Sequence, residues 1–486
     1  LRRGPRAPWA GRVREALRRL VRRDLSEGEL MRAAQRFGRG EAGALARWEL
    51  ARRAKAAGRV KEARERLQDF IKDFPQHERA WQARAALREL KEELVADPRK
   101  IGVLLPLSGP GAEAGKRLRQ GIELALRAAA GIVERLGLRL VVRDTQGAPG
   151  KPGRAAEAAE GLAGRGKVIA LLGPFFSSPT RAATAVADRH RVPLLTPFAI
   201  DGDIPQTSPW AFRNSLTNRQ QAAAVAGYAT ERLGLRRFAI LYPNERQGVE
   251  LRDHFRQRVE AGGGRVLAQA AYPVGASDFG RQIRQLGGMD DDEVKRKKER
   301  LPPPAPGEPP ARIPQIPYEA VFIPGDSEPA ALIAPQLLFY NITGVRLLGA
   351  RGWNSAKVVQ YGEKYVEGAI FVDGFFAQSP LPRVRRFVEE FGRAFGSKPD
   401  IISALAYDSL GMLLQVLSRG ARTRSEVRDG LLRLQNFPGV TGRTSMGADG
   451  DAQKELFILT VQKGRIVQLD TEAPVSALRV RGSGPS

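Results

Sequence analysis

The sequence predicts an α/β body of two doubly wound α/β lobes with a cleft between them, preceded by an all-α domain of helical-repeat type. Three observations carry that expectation. Apolar residues keep helical spacing through the first hundred positions, short apolar strands alternate with amphipathic helices from Ile101 onward, and that alternation runs through two successive series. At roughly 100–200 residues per domain, a chain of 486 residues leaves room for two to four domains.

Residues 11–98 read as helix. Val13, Leu17 and Leu20–Val21 hold one apolar stripe, and Leu45, Trp48 and Ala51 begin another. A third stripe passes through Ala63, Leu67, Phe70 and Ile71 and closes at Pro75, after which Trp81, Ala85 and Leu87 open a further helix. Trp48 and Trp81 stand 33 residues apart, close to the tetratricopeptide period of about 34. Gly58 falls at the turn, and Ala63 where a small residue lets paired helices approach. The segment resembles one full tetratricopeptide repeat flanked by partial ones. A plain helical hairpin packed on the next domain has the same pattern. Its functional reading is a protein-interaction arm, residues 1–98.

Asp97-Pro98 breaks the helical pattern. Strand 101–107 is followed by helix 117–130, strand 138–143 ends at Asp144 ahead of helix 154–162, and strand 168–172 precedes helix 179–190 and strand 192–195. The second series opens with helix 218–233 and continues through strand 237–242, helix 248–261, strand 265–272, helix 279–286 and strand 320–323. Such alternation builds parallel βαβ units, and two modules in sequence make two lobes. Between the last helix and strand, Asp290–Glu293 is acidic, Lys295–Arg300 basic and Pro302–Pro317 proline-rich. A stretch of that composition cannot bury a core, so 288–317 is read as a disordered surface insertion.

Composition excludes several chemistries. Cysteine is absent, which removes disulfides, thiolate metal sites and thiol nucleophiles, and the three histidines (His77, His190, His254) form no metal-binding pair. The net charge of +26 is spread along the chain, and aromatic residues are only 7%. A nucleic-acid groove with interleaved aromatics is therefore not indicated. No apolar run approaches the ~20 residues of a membrane helix. The first residue is leucine, so the chain is read as a mature form from which a signal segment, and any lipid anchor, has been removed.

Two nucleotide-like motifs fail on context. Gly161-Leu-Ala-Gly-Arg-Gly166-Lys167 has phosphate-loop spacing but is followed by Val168, and it stands after a helix and before a strand, the reverse of a phosphate cradle. Gly109-Pro-Gly111-Ala-Glu-Ala114 follows a strand, but its prolines reshape the turn and Asp144 lies 30 residues beyond Ala114 where ~20 is usual. Spacing suggests no Ser–His–Asp set, no GxSxG motif occurs, and the reading is of a non-enzymatic binding protein that needs no cofactor.

One resemblance covers about 99–470. Ile101-Gly-Val-Leu-Leu-Pro-Leu-Ser-Gly-Pro-Gly111 with Gly121-Ile-Glu-Leu-Ala125, and Ala170-Leu-Leu-Gly-Pro-Phe-Phe-Ser-Ser-Pro-Thr180 with Val192-Pro-Leu-Leu-Thr-Pro197, resemble the opening of leucine-binding-type (type I) periplasmic receptors. Phe212-Arg-Asn-Ser-Leu-Thr-Asn218, Ala406-Tyr-Asp408 and the tail Gly439–Gly450 are similar to the same family, in the same order. The resemblance implies lobe 1 from 99–214 and 373–448, lobe 2 from 215–372 and 449–486, and three crossovers near 215, 372 and 448. Ligands in open α/β sheets meet the carboxyl ends of strands, which here carry Ser108, Phe176, Ser177, Ser178, Phe198, Ala199 and Ile200 in lobe 1. Lobe 2 offers Asn244, Gln247, Asp326 and Glu328.

Ser177 matches the family's ligand-gripping serine, with a cap for helix 179–190, through Ser178 especially, as the alternative role. The family's hydroxyl after the fourth strand is replaced by Ile200. The resemblance thus implies a periplasmic receptor that captures a small, amino-acid-like ligand and serves an ABC importer. A helical arm fused to such a body also resembles the outer-membrane lipoproteins that activate penicillin-binding proteins, in which case the arm, 1–98, contacts a peptidoglycan synthase.

Overall fold

The computed structural model describes residues 10–57, 59–94, 96–288, 295–296, 299–300 and 316–469. Gly58, most of the insertion read at 288–317 and the end of the segment 449–486 lie outside the described residues.

The arm is all-α: helices Ala10–Arg19, Glu27–Arg36, Glu41–Ala56, Val60–Asp73 and Ala80–Leu94 follow one another. Local chemistry sets their ends. Ser26 Oγ accepts the Glu29 N–H at 3.3 Å while the Glu29 carboxylate accepts the Ser26 N–H at 2.7 Å, a reciprocal cap that starts the second helix. Ala44, Ala51, Ala54 and Ala63 are buried where helices cross, and Leu67 and Phe70 fill the space beside them. The two tryptophans are not equivalent. Trp48 packs its ring 5.8 Å from that of Phe70, whereas Trp81, in the first turn of its helix, is 66% exposed. The 33-residue spacing therefore places one tryptophan in the arm's core and the other on its surface.

The body opens with β1 (Asp97–Leu105), four residues earlier than Ile101 suggested, because Asp97 already pairs with Val168. With β2 (Arg139–Asp144), β3 (Val168–Leu172), β4 (Leu194–Thr196) and β5 (Ala211–Arg213) it forms a parallel sheet in the order β2-β1-β3-β4-β5. Helix Ala112–Ala128 covers one face and packs along helix Ile401–Ser418. They approach closely at Gly121, where a Cβ would collide with the Ser403 carbonyl. Helix Ile401–Ser418 is apolar enough and, at 18 residues, long enough to resemble a membrane span, but it is mostly buried within lobe 1. Its apolar character is that of a core helix.

The second sheet holds β6 (Arg237–Pro243), β7 (Arg265–Tyr272), β8 (Ala320–Ile323), β9 (Arg346–Gly349) and β10 (Ile370–Asp373), all parallel. A small antiparallel sheet of β11 (Phe437–Gly439), β12 (Gly442–Met446) and β13 (Ala452–Lys454) returns to lobe 1. The chain then re-enters lobe 2 as β14 (Phe457–Gln462) and β15 (Arg465–Gln468), completing the order β15-β14-β10-β9-β8-β6-β7.

The chain thus passes between the sheets three times, after β5, after β10 and after β13. The third passage falls later than 448. Ala452 is buried in the lobe 1 core and β13 stays paired with β12 through Lys454, which moves the passage to Glu455–Leu456. At the second passage Phe375 and Phe376 join the lobe 2 core to Phe387 and Phe391 of helix Pro382–Phe395.

Candidate ligand-binding cleft

Parallel strands end on one edge of their sheet, so the loops that follow them form a rim. The lobe 1 rim carries Ser108 after β1, Phe175–Ser178 after β3 and Phe198–Asp201 after β4. The lobe 2 rim carries Asn244–Gln247 after β6, Gly325–Glu328 after β8 and Arg351 after β9.

The loop after β4 is held from two sides. Behind it, Arg213 is 1% exposed and grips Asp451 bidentately, Nε to Oδ1 at 2.6 Å and Nη2 to Oδ2 at 2.7 Å. The same guanidinium donates to the carbonyls of Ala199, Asp201 and Gly202. Ser215 Oγ donates to the Ala199 carbonyl at 3.2 Å. In front, Ser177 Oγ accepts the N–H groups of Ile200 at 3.1 Å and Asp201 at 3.2 Å. The loop's backbone is satisfied by its own supports, which leaves the side chains of Phe198 (half-buried) and Ile200 (39% exposed) to face outward while Ala199 is buried.

This arrangement qualifies the role the resemblance gives to Ser177. Its oxygen is engaged by two loop amides, so its remaining capacity is as an O–H donor. The capping alternative does not hold. Helix Ser177–Arg189 begins at Ser177 itself, after an extended Phe176, and no side chain caps it. Ser178 lies in its first turn.

Aromatic rings run from the lobe 1 core to the cleft. Phe175 is buried and stacks on Phe198 with centroids 4.4 Å apart, and it meets Phe176 edge-on at 4.8 Å. From lobe 2, the Arg351 guanidinium lies over the Phe198 ring, 5.5 Å from its centroid. A second contact crosses the cleft where Arg246 Nη1 stands 3.9 Å from Asp201 Oδ1. Asp201 is shared with Arg181 at 3.2 Å, which also holds Asp203 at 2.7 Å. A cation–π contact of this kind contributes about 0.5–1 kcal/mol and an exposed ion pair about 0–1 kcal/mol. These bridges are weak enough for the lobes to part.

Arg351 is seated from behind. Its N–H donates to Gln221 Oε1 at 3.1 Å. Asp373, at the end of β10, accepts from Asn354 Nδ2 at 2.8 Å and from the Gly374 N–H at 2.6 Å. Burial pushes the Asp373 carboxyl up to about 6, against the opposing pull of the Asn354 bond and the Arg351 charge.

The other residues singled out in the sequence separate into rim and surface. Ser108 hydrogen-bonds Asp144, whose carboxylate also accepts the N–H groups of Leu107 and Gln146, each at 2.9 Å. Burial works to raise the Asp144 pKa, but these hydrogen bonds outweigh it and hold the group below its ordinary value. Ser108 thereby fixes the β1 turn. Asn244 is exposed, with its N–H given to the Tyr272 carbonyl at 2.8 Å, and Gln247 is half-buried in the first turn of helix Arg246–Ala261. Asp326 is exposed beside Gly352. Glu328 faces Lys357, 4.0 Å away on the next helix, and so forms a surface pair within lobe 2. Tyr272, 2% exposed beside Gly325, has a hydroxyl without a protein partner, and burial raises its pKa.

Arg213, Arg246, Arg351 and Asp373 were not anticipated as site residues. Arg213 lies inside the quoted Phe212-Arg-Asn-Ser motif and Arg246 adjoins Gln247, so the signal was adjacent. Strand β9, which delivers Arg351, is only four residues long and was not read as a strand. Among the described residues, no cluster of three or more His, Asp or Glu could hold a metal ion.

Two doubly wound lobes facing across a cleft at their strand ends are the architecture of a type I periplasmic binding protein. The periplasmic binding protein family model matches residues 98–465, and the chain belongs to that family. Among curated proteins it is similar to the Leu/Ile/Val-binding protein homolog 6 of Brucella abortus and of Brucella suis, 27% identical over 192 residues, or 39% of this chain and 48% of theirs. The chain spans about half the length of the curated relatives it matches.

Solved structures share the fold over more of the chain. A Rhodospirillum rubrum protein assigned to branched-chain amino acid ABC transport has a TM-score of 0.66 at 23% identity, covering 76% of this chain and 99% of that one. The Streptococcus pneumoniae substrate-binding protein LivJ in complex with isoleucine has a TM-score of 0.53 at 23% identity, with the same coverage. A Rhodopseudomonas palustris solute-binding protein in complex with 3,4-dihydroxybenzoic acid has a TM-score of 0.55 at 18% identity, covering 76% and 96%.

Proposed function

We propose that the chain is an extracytoplasmic solute receptor that closes its lobes on a small carboxylate with an apolar body and presents it to an ABC importer. The branched-chain amino acids are the first candidates. The observation that carries this reading is the pairing across the cleft of an aromatic floor, Phe198 stacked on Phe175, with the Arg351 guanidinium. A guanidinium over an apolar floor accommodates a carboxylate at one end and a hydrocarbon body at the other. The ligands in two of the structural relatives, isoleucine and 3,4-dihydroxybenzoic acid, have that shape in common. The partners for an ammonium group are fewer, since Asp201 is already shared between Arg181 and Arg246. The reading therefore rests on the carboxylate, with the Ser177 hydroxyl as a further donor.

Calorimetric titration of leucine, isoleucine, valine, benzoate and 3,4-dihydroxybenzoate into the full chain tests it. At least one should bind with one site per chain and lose tenfold or more in affinity in Arg351→Ala. Absence of binding by all five would refute the proposal.

A second reading is favoured by the arm, where Trp81 (66% exposed), Phe37 (52%) and Met31 (45%) offer apolar surface to a partner. Here the arm is a tetratricopeptide-like module of a lipid-anchored penicillin-binding protein activator. It predicts that the full chain binds a purified penicillin-binding protein and that Trp81→Ala weakens that complex without changing cleft affinity.

A further inference from the structure

A cavity of about 910 Å³ belongs to neither rim. Lobe 1 contributes Arg383, Gly442, Arg443 and Lys454 to its wall, while lobe 2 contributes Ala224, Tyr228, Phe457 and Ile458. These residues flank the second and third passages between the lobes, at Gly374–Leu381 and Glu455–Leu456. The volume lies within the range of small-molecule sites, roughly 300–1,000 Å³.

Two chemistries meet there. Leu381, Leu456, Phe457, Ile458 and Leu469 supply apolar surface. Around it stand the guanidiniums of Arg232, Arg258, Arg383 and Arg443 with the Lys454 ammonium, and two carboxylates, Glu231 and Glu455, line the same wall, while the buried Asp408 opposes Lys454 from behind. Both carboxylates are already matched, Glu231 by Arg258 and Glu455 by Arg443 at 3.5 Å. Arg383 spends its Nε–H on the Gly439 carbonyl at 2.9 Å, which fixes the guanidinium at the wall and leaves its other N–H groups for further acceptors. Lys454 donates to Thr441 Oγ1 at 2.8 Å and Thr444 Oγ1 at 3.1 Å, and Thr441 in turn donates to the buried Asp408, so Lys454 is held by the fold and the guanidiniums carry the wall's surplus charge. Fixed cations beside an apolar floor select an anion with a hydrocarbon body and disfavour cations of the same shape.

We propose that this groove is a second ligand site, distinct from the cleft, for a small amphipathic anion bearing a phosphate or carboxylate head on an apolar body. The test is calorimetric titration of the full chain with octyl phosphate, octanoate, inorganic phosphate and octyltrimethylammonium. With the cleft silenced by Arg351→Ala, octyl phosphate and octanoate should bind at one site per chain, inorganic phosphate at least tenfold more weakly, and octyltrimethylammonium not at all at this site. Arg443→Glu, a 54% exposed side chain whose replacement spares the core, should weaken octyl phosphate at least tenfold. Ala224→Trp, which fills the groove without altering charge, should do the same. Arg351→Ala, in the cleft, should leave octyl phosphate affinity within twofold. Retention of affinity in both groove variants, loss of it in Arg351→Ala, or equal binding of the cationic probe would each overturn the proposal. Circular dichroism and thermal unfolding confirm that each variant is folded before it is titrated. Were the source of the anion a lipid rather than a free metabolite, vesicles of phosphatidylglycerol would compete with octyl phosphate and vesicles of phosphatidylcholine would not. Absence of competition by either assigns the site to a free anion.

Discussion

Replacing Arg213 tests whether the rim loop is held by the mechanism described. Its side chain is 2% exposed and its carboxylate partner Asp451 is 23% exposed. Arg213→Ala removes the bidentate pair and the donors to the carbonyls of Ala199, Asp201 and Gly202. Breaking one partner of a buried ion pair costs about 3–5 kcal/mol, and the partial exposure of Asp451, which lets water rehydrate it, places this case near about 3 kcal/mol. Arg213→Lys keeps a charge but not the planar fork, so about half that loss should remain. Urea unfolding of the full chain, followed by tryptophan fluorescence, measures the change. Trp210 is buried in lobe 1, Trp353 in lobe 2, and Trp48 packs in the arm, so the transition that shifts between parent and variant is assigned to lobe 1 by a Trp210→Phe control. The lobes need not unfold together, so the two transitions are fitted separately. An Arg213→Ala variant within about 0.5 kcal/mol of the parent would show that the loop is held by something else.

Three further outcomes follow from the same geometry. Asp373 has a folded-state pKa of about 6, above its unfolded value of about 3.9, so the folded state binds more protons between those values. Its contribution to stability therefore falls as pH rises from about 4 to about 6 and stays lost above that. Asp373→Asn should flatten that part of the stability–pH curve, and parallel curves for the two proteins would contradict the assignment. Gly121→Val forces a side chain against the Ser403 carbonyl and should cost about 1–3 kcal/mol in thermal unfolding; an unchanged melting temperature would mean the two helices have room to separate. Phe198→Ala removes the ring that stacks on Phe175 and lies beneath Arg351, and should weaken any cleft ligand at least tenfold in calorimetry, whereas unaltered affinity would place the ligand elsewhere.

The fold was legible in the sequence where buried strands are apolar at every position. Val168–Leu172 and Ala320–Ile323 are buried at every position and were read with their observed bounds. Ala211–Arg213 and Arg346–Gly349 interrupt their short apolar runs with arginine or glycine, so no apolar run marks them, and they deliver Arg213 and Arg351. The resemblance implies a third passage near 448, whereas Gly450, at φ +82°, is a turn that brings its carbonyl to the Arg213 N–H and sends the chain back along β12 before it leaves lobe 1.

The site was legible only in outline. Motif positions located the rims, but hydrogen-bond direction decided what each residue does there. Ser177 receives loop amides and Ser108 serves Asp144, roles that depend on the spatial approach of segments 23 and 36 residues apart. Contacts across the cleft, the Arg246–Asp201 ion pair and Arg351 over the Phe198 ring, join residues from different lobes, and neither spacing nor periodicity encodes such a meeting.

The most direct test of the receptor account is the distance between the lobes. The chain lacks cysteine, so spin labels at Leu107→Cys and Val274→Cys, exposed positions on the two rims, report opening and closing by pulsed electron resonance. Addition of leucine, isoleucine, valine, benzoate and 3,4-dihydroxybenzoate together should shift the distribution to a shorter, narrower distance, and Arg351→Ala should abolish the shift. An identical distribution with and without saturating ligands would contradict capture by lobe closure.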